Sequence, residues 1–201
     1  MLGGDFMRTA TLSRKTQETE IDLALCLDAC GKSEIETGVG FLDHMLTLWA
    51  KHGRMDLTLH CKGDVWVDDH HTVEDIAIVL GDALAAALGE KRGVVRYADM
   101  HLAMDEALVL CSVDLSGRGG YYGALSFPTE KIGTFDTQLV DEFLQAVAAH
   151  AKLPRHLRQI CGKNSHHIAE ACFKALGRVL AQACRIDPAL GGEIPSTKGT
   201  L

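Results

Sequence analysis

Asp68-Asp69-His70-His71-Thr72-Val73-Glu74-Asp75 places two adjacent histidines three and four residues ahead of a glutamate, where an apolar helical pattern begins. Residues three and four apart share one face of a helix. Glu74 therefore lies beside both His70 and His71, and a metal can draw imidazole and carboxylate from a single helical turn. Ser165-His166-His167-Ile168-Ala169-Glu170 repeats the unit at the head of a second apolar helix, with 96 residues between His70 and His166, about half the chain. Two such units in matching contexts point to a duplicated metal site. Adjacent helical residues point about 100° apart, so His70 and His71 aim at different ions, as do His166 and His167. That is the pattern of a two-metal cluster. Imidazole suits borderline transition metals, and carboxylate suits harder ions such as manganese.

Working outward from these motifs, the whole chain divides into two similar halves. Thr9–Lys15, Ile21–Asp28 and Ser33–Thr37 carry strand character, the second with Ile21, Leu23, Leu25 and Leu27 alternating against Asp22 and Asp28. Phe41–Lys51 has helical spacing and closes at His52-Gly53, with glycine as the expected C-cap. Met55–Cys61 alternates again, and a long helix runs from His70 to Leu88. In the second half Leu108–Leu115 is strand-like, Asp136–Ala151 is an amphipathic helix, Leu157–Cys161 is a short strand and His166–Cys184 is the second long helix. Asp141-Glu142-Phe143-Leu144 overlays Asp43-His44-Met45-Leu46 at an offset of 98. The expected fold is α/β of the α+β type. It is a tandem duplication of a two-layer unit, each a mostly antiparallel four-stranded sheet packed against two helices. Residues 8–93 form the first unit, 94–186 the second, and 187–201 a C-terminal arm that contributes to the site, all in one compact domain.

Composition narrows the function. Lys and Arg number 20 against 27 Asp and Glu, a formal charge of −7, so the basic footprint of a nucleic-acid binder is missing. No apolar run approaches the ~20 residues needed to span a bilayer, and Met1–Met7 lacks the layout of a secretory signal. Seven cysteines with no C-x-x-C pair argue against a zinc ribbon and for buried free thiols in a reducing cytoplasm. Taken singly, His52, His60, His101, His150 and His156 read as ordinary surface or core histidines. Asp68, Asp69 and Asp75 are sufficiently explained by the positive end of the helix they precede or open.

Four long motifs, in order, resemble the imidazoleglycerol-phosphate dehydratase family of histidine biosynthesis. They are Phe41-Leu42-Asp43-His44-Met45-Leu46, the two histidine motifs with Asn164 ahead of the second, and Ile194-Pro195-Ser196-Thr197-Lys198-Gly199. The likeness runs from Arg14-Lys15-Thr16-Gln17-Glu18-Thr19 to the end. It implies tandem α/β units, and a ligand set of His44, His70, His71, Glu74, Glu142, His166, His167 and Glu170 holding two Mn²⁺ per active site. Glu142 departs from the family pattern, which carries histidine there in many members. Leu48, Gly119 and Ala103 are further departures, standing where glutamine, proline and proline are usual. The resemblance also implies the reaction. Water leaves a glycerol phosphate carrying an imidazole, through a metal-stabilised imidazolate and carboxylate acid–base catalysis, to give the acetol phosphate. Glu18 is the matching catalytic carboxylate and a substrate contact. Arg96, Arg118, Ser196, Thr197 and Lys198 match the positions that bind substrate, where arginine offers a bidentate fork to phosphate and lysine a point charge. The partners implied are that small molecule and further copies of the chain, as a 24-chain homo-oligomer with sites shared between subunits, in the cytoplasm and without nucleic acid or membrane. Three rival readings stand beside this one: a two-metal phosphoester hydrolase, which the same ligands would serve; a di-iron carboxylate protein, whose Glu-x-x-His order on a four-helix bundle differs from the His-His-x-x-Glu order here; and a non-catalytic metal-binding assembly protein, in which Glu18 and Lys198 would have no role.

Overall fold

The computed structural model describes residues 7–201. The expectation about a signal layout in Met1–Met7 falls, apart from Met7, outside them. The first half runs β1 (Thr9–Lys15), β2 (Thr19–Cys26), β3 (Ser33–Glu36), α1 (Gly40–Gly53), β4 (Asp56–Gly63) and α2 (His70–Leu88). The second runs β5 (Tyr97–Met104), β6 (Ala107–Asp114), β7 (Gly120–Ala124), a small hairpin of β8 (Lys131–Ile132) and β9 (Phe135–Asp136), α3 (Gln138–His150), β10 (Pro154–Cys161) and α4 (Ser165–Ala183). The two large sheets have one topology, β1-β2-β4-β3 and β5-β6-β10-β7, each antiparallel except for its last pair, which is parallel. The expected fold class holds, and residue by residue it extends what the sequence anticipated. β5, β7 and the small hairpin were not foreseen. β5 carries a legible signal, since Ala98, Met100, Leu102 and Met104 alternate inward; β7, Gly-Tyr-Tyr-Gly-Ala, carries none.

The helices lie between the sheets. α2 packs on β1, β2 and β4, α4 on β5 and β6, and the two helical layers meet with α1 against α4 and α2 against α3. Leu42, Met45, Leu46 and Trp49 of α1 are fully buried at the three- and four-residue spacing of one helical face, as are Val73, Ile76, Ala77, Leu80 and Leu84 of α2. Each large side chain buried in this way stabilises the fold by about 1.5–3 kcal/mol. Glycines set the helix crossings. A Cβ on Gly177 would lie 2.5 Å from the Trp49 carbonyl oxygen, and one on Gly81 2.6 Å from the His150 Cβ. The two crossings are counterparts: 96 residues relate Gly81 to Gly177, and 98 relate Gly53 to Ala151, the offsets of the sequence repeat.

This packing corrects the expected end of α1. Gly53 remains helical because the Gly177 backbone passes it, 3.2 Å from where a Cβ would stand, and the left-handed residue that closes the helix is Arg54 at φ 54°. The thiols are also less uniform than expected. Among the described residues all seven cysteines are free, with Cys111, Cys172 and Cys184 buried but Cys30 and Cys161 exposed.

Candidate metal centre

α1 and α4 bring one ligand group together. Asp43, in the first turn of α1, accepts from the Thr37 backbone N–H at 3.0 Å and fixes the chain's entry into the helix. Asn164 caps α4 by accepting from the His166 and His167 backbone N–H groups. The two helix starts then face each other. Donor atoms of His44, His166 and Glu170 all lie within 4.8 Å of one another. His166 Nε2 is 3.2 Å and His44 Nε2 3.8 Å from Glu170 Oε2. The other oxygen, Glu170 Oε1, accepts from the Lys174 ammonium one turn later. Burial pushes Glu170 upward, but the Lys174 hydrogen bond and charge, with His166 and His44, outweigh it and leave its pKa below the usual carboxylate range. Two imidazoles and an ionised carboxylate converging on one point suit a borderline or hard divalent ion.

The first motif is looser. His70 Nε2 and Glu74 Oε2 stand 3.8 Å apart on the opening turn of α2. Glu142 is the counterpart of His44 by the 98-residue offset, but none of its oxygens comes within ion-pair distance of a histidine in this chain. Its side chain is half-buried on α3 and makes neither a hydrogen bond nor an ion pair among the described residues. Asp68 accepts from the His70 backbone N–H at 2.8 Å, as a residue ahead of the helix should. Asp75, which the sequence reading explained by the helix dipole alone, is buried, and binds Arg14 at 3.0 Å and the Thr19 hydroxyl at 2.5 Å. That contact ties α2 to the β1–β2 turn.

The second histidine of each motif points elsewhere. His71 Nδ1 lies 3.0 Å from Asp64 Oδ2, and its Nε2 faces Glu18 Oε1 at 3.8 Å. His167 Nδ1 lies 2.7 Å from Glu106 Oε2, and its Nε2 faces Asp105 Oδ2 at 3.8 Å. Glu18 therefore stands in the turn between β1 and β2, as Asp105 and Glu106 stand in the turn between β5 and β6. Donating to the Asp64 carboxylate raises the His71 pKa, and donating to the Glu106 carboxylate raises the His167 pKa. Glu106 is pulled down to about 2 by the His167 bond first and then by backbone N–H groups of the loop before α4.

The residues matched to phosphate binding gather at the far end of α4. Arg96 holds Asp114 at 2.8 Å and the Pro195 carbonyl oxygen at 2.7 Å, so it clamps the C-terminal arm to the end of β6. Three of its five N–H donors are engaged, at Nε, Nη1 and Nη2, and two remain. The Leu115 N–H donates to the Arg96 carbonyl at 3.1 Å, which brings the Ser116–Gly120 loop alongside. In that loop Gly117 takes φ 78° and Arg118 is exposed. Ser196 accepts at its hydroxyl from the Lys198 N–H at 3.2 Å, and Thr197 and Lys198 are exposed. The Arg96 N–H also donates to Ala183, the last residue of α4, at 2.9 Å. Glu170 lies thirteen residues earlier on that helix, about 20 Å away at 1.5 Å per residue. Within one chain, the residues matched to phosphate binding and the His44–His166–Glu170 group are thus at opposite ends of α4.

Sequence reasoning gave no site role to Lys174, Asp64 and Glu106, and read His52 as an ordinary histidine. His52, at the end of α1, is held below the ordinary imidazole value by burial and by the charges of Lys174 and Arg178. The i, i+4 relation of Glu170 to Lys174 was available as a signal. The partnerships of Asp64 and Glu106 arise only in the folded chain. Val65, Trp66 and Val67, just before the first motif, are exposed, Trp66 by 82%. Among the described residues no helix is long and apolar enough to cross a membrane.

Comparison with known proteins identifies the family. The imidazoleglycerol-phosphate dehydratase family model matches residues 37–180. The chain is 56% identical over 195 residues to the imidazoleglycerol-phosphate dehydratase of Cereibacter sphaeroides strain KD131, covering 97% of this chain and all of that one. It is 55% identical, over the same shares, to that of Ruegeria pomeroyi. Among solved structures, the Staphylococcus aureus imidazoleglycerol-phosphate dehydratase superposes with a TM-score of 0.82 at 41% identity, over 89% of this chain and 99% of that one. The Pyrococcus furiosus structure gives 0.82 at 35% identity, over 94% and 100%. The chain belongs to the imidazoleglycerol-phosphate dehydratase family, the hydro-lyases that dehydrate imidazoleglycerol phosphate in histidine biosynthesis.

Proposed function

We propose that the chain converts imidazoleglycerol phosphate to imidazole acetol phosphate at a site that holds two manganese ions and is assembled between copies of the chain. The observation that carries this is the convergence of His44, His166 and Glu170 within 4.8 Å from two helices in opposite halves of the sequence. Their donor types suit manganese, and beside the Asp64 Oδ2 that holds His71, Asp64 Oδ1 is a buried oxygen with no hydrogen-bond partner among the described residues. His70, His71, Glu74, Glu142 and His167 complete the proposed ligand set. When bound, the ions supply Lewis acidity and a template for the imidazole ring, so that the ring can accept charge released at the side chain.

The chain's own groups do the rest. Glu18, next to His71 and on an exposed turn, takes the proton from the carbon beside the ring and returns one to the departing hydroxyl. One C–H and one C–O bond break, and water leaves. Arg96, Arg118, Ser196, Thr197 and Lys198 hold the phosphate and so place the reacting carbon. The ~20 Å between phosphate and metal groups supports a shared site, because a small substrate cannot reach both within one chain. The exposed Val65–Val67 segment beside the first motif supports an interface there. A 24-chain shell in the cytoplasm accords with this arrangement. The test is a dehydration assay on chelator-stripped protein, with elemental analysis, before and after manganese is restored. Activity that falls with the metal and returns with it is expected; full activity in verified metal-free protein would sink the proposal.

A further inference from the structure

The two carboxylates on the second histidines come from different places. Asp64 lies in the loop after β4. Glu106 lies at the tip of the β5–β6 turn. Yet both meet the same ring atom, Nδ1, at 3.0 Å on His71 and 2.7 Å on His167. In both, Nε2 is left facing the acidic turn at 3.8 Å. A carboxylate can only accept, so Nδ1 must carry the proton. Nε2 then keeps its lone pair, the only atom of the neutral ring able to ligate a metal.

Neither contact is explained by the fold alone. Asp64 is 7% exposed and its Oδ1 is buried with no partner. A carboxylate buried for stability alone would satisfy both oxygens or give way to an apolar residue. Glu106 divides its work: Oε1 accepts from the Lys163 and Asn164 backbone N–H groups at 3.1 and 2.8 Å, and Oε2 is reserved for His167. The loop it grips is the one whose Asn164 caps α4. The same side chain therefore sets the start of the helix and the rotation of the ring on it.

We infer that Asp64 and Glu106 are positioning residues that fix Nε2 as the metal-donor atom of His71 and His167. The inference rests on the two-metal reading above, and its test separates the two. Metal-free, ¹⁵N-histidine-labelled full chain is examined at pH 9 by solid-state ¹⁵N NMR, with His71→Asn and His167→Asn spectra assigning the signals. Both wild-type rings are expected in the Nδ1–H form. The two carboxylates should then respond differently to amide substitution. Asp64→Asn can turn its oxygen to the ring and keep that form, whereas Asp64→Leu cannot. Glu106→Gln must keep its one oxygen on the backbone N–H groups and present NH₂ to the ring, which flips His167 to Nε2–H while the helix content stays unchanged. Manganese titration of the same samples should show affinity about 10–100-fold weaker for Asp64→Leu and Glu106→Gln, and near wild type for Asp64→Asn. Nε2–H rings in the metal-free wild type overturn the inference whatever the titration gives. Nδ1–H rings in a wild type that binds no divalent ion overturn the two-metal reading and this role with it. Unchanged tautomers in Asp64→Leu and Glu106→Gln reduce the contacts to packing.

Discussion

Glu142 carries the main chemical difference between the halves of the chain. Its counterpart His44 sits 3.8 Å from Glu170, whereas Glu142 has no partner of its own. A carboxylate binds manganese as readily as imidazole does. The expected result is that Glu142→Ala loses about one ion of each pair while circular dichroism is unchanged, and that Glu142→His restores it, by elemental analysis. If both variants keep full occupancy, Glu142 is not a ligand. Glu18 is tested at the same scale. Glu18→Gln keeps size and removes the proton acceptor, so turnover should fall about 10²–10⁴-fold with manganese affinity intact. A variant within about threefold of wild type would exclude the role.

At the scale of elements, β10 departs from its counterpart. Arg155 stands 98 residues after Leu57, at the same inward position of its sheet, and is fully buried. Its Nη2 donates to the Leu144 carbonyl, but Nε and Nη1 have no partner. The nearest counter-charge acts indirectly: the guanidinium lies 5.2 Å from the Tyr121 ring centroid, and the Tyr121 hydroxyl donates to Asp141 at 2.5 Å. Burial pulls the Arg155 pKa below its usual value. Each buried polar group left unpaired costs about 1–3 kcal/mol, and an apolar side chain of suitable shape removes that cost. Arg155→Leu, which copies Leu57, should therefore raise the unfolding free energy of metal-free protein by about 1–3 kcal/mol. A lower denaturation midpoint at equal m-value would show that the Arg155–Tyr121–Asp141 chain stabilises α3 more than its burial costs.

For the whole molecule, the separation of metal and phosphate groups along α4 makes a direct prediction. His166→Asn removes a proposed ligand and Arg96→Ala a proposed phosphate contact, and each alone should be nearly inactive. If sites are shared between copies, mixing the two chains after reversible dissociation should restore about a quarter of wild-type activity for random pairing at heterologous interfaces. No recovery in verified mixed assemblies would place each site within one chain. Acidity provides a second test. His71 and His167 are raised above the ordinary imidazole value of 6.5. Their carboxylate pairs stabilise the metal-free fold fully below pH ~6.5 and progressively less as pH rises through the higher folded values. Metal needs the neutral rings, so its contribution runs the other way and fades as pH falls through those same values. The melting-temperature gain from manganese should shrink steadily from pH 8.5 to pH 6. A gain that is flat with pH would mean that these rings do not ligate.

Local pattern settled much of this protein. Helical spacing placed α2 to the residue, from His70 to Leu88, because an apolar face repeating every three or four residues has one way to be buried. The paired histidines and their glutamates were legible because i, i+3 and i, i+4 relations are set by the helix itself. The repeat was legible because both halves bury the same pattern. Tertiary structure decided the rest. Which histidine meets which carboxylate depends on loops far apart in sequence, as with His167 and Glu106. Gly53 looked like a helix stop and became a crossing point, because a second helix 124 residues on needed the room. Arg155 lies outside the Leu157–Cys161 strand expected from the sequence, yet it belongs to β10 and is fully buried once the layers close over it. Position along a chain fixes neighbours within a turn of helix, whereas burial and the pairing of charges are set by which surfaces meet when the two sheets close on four helices.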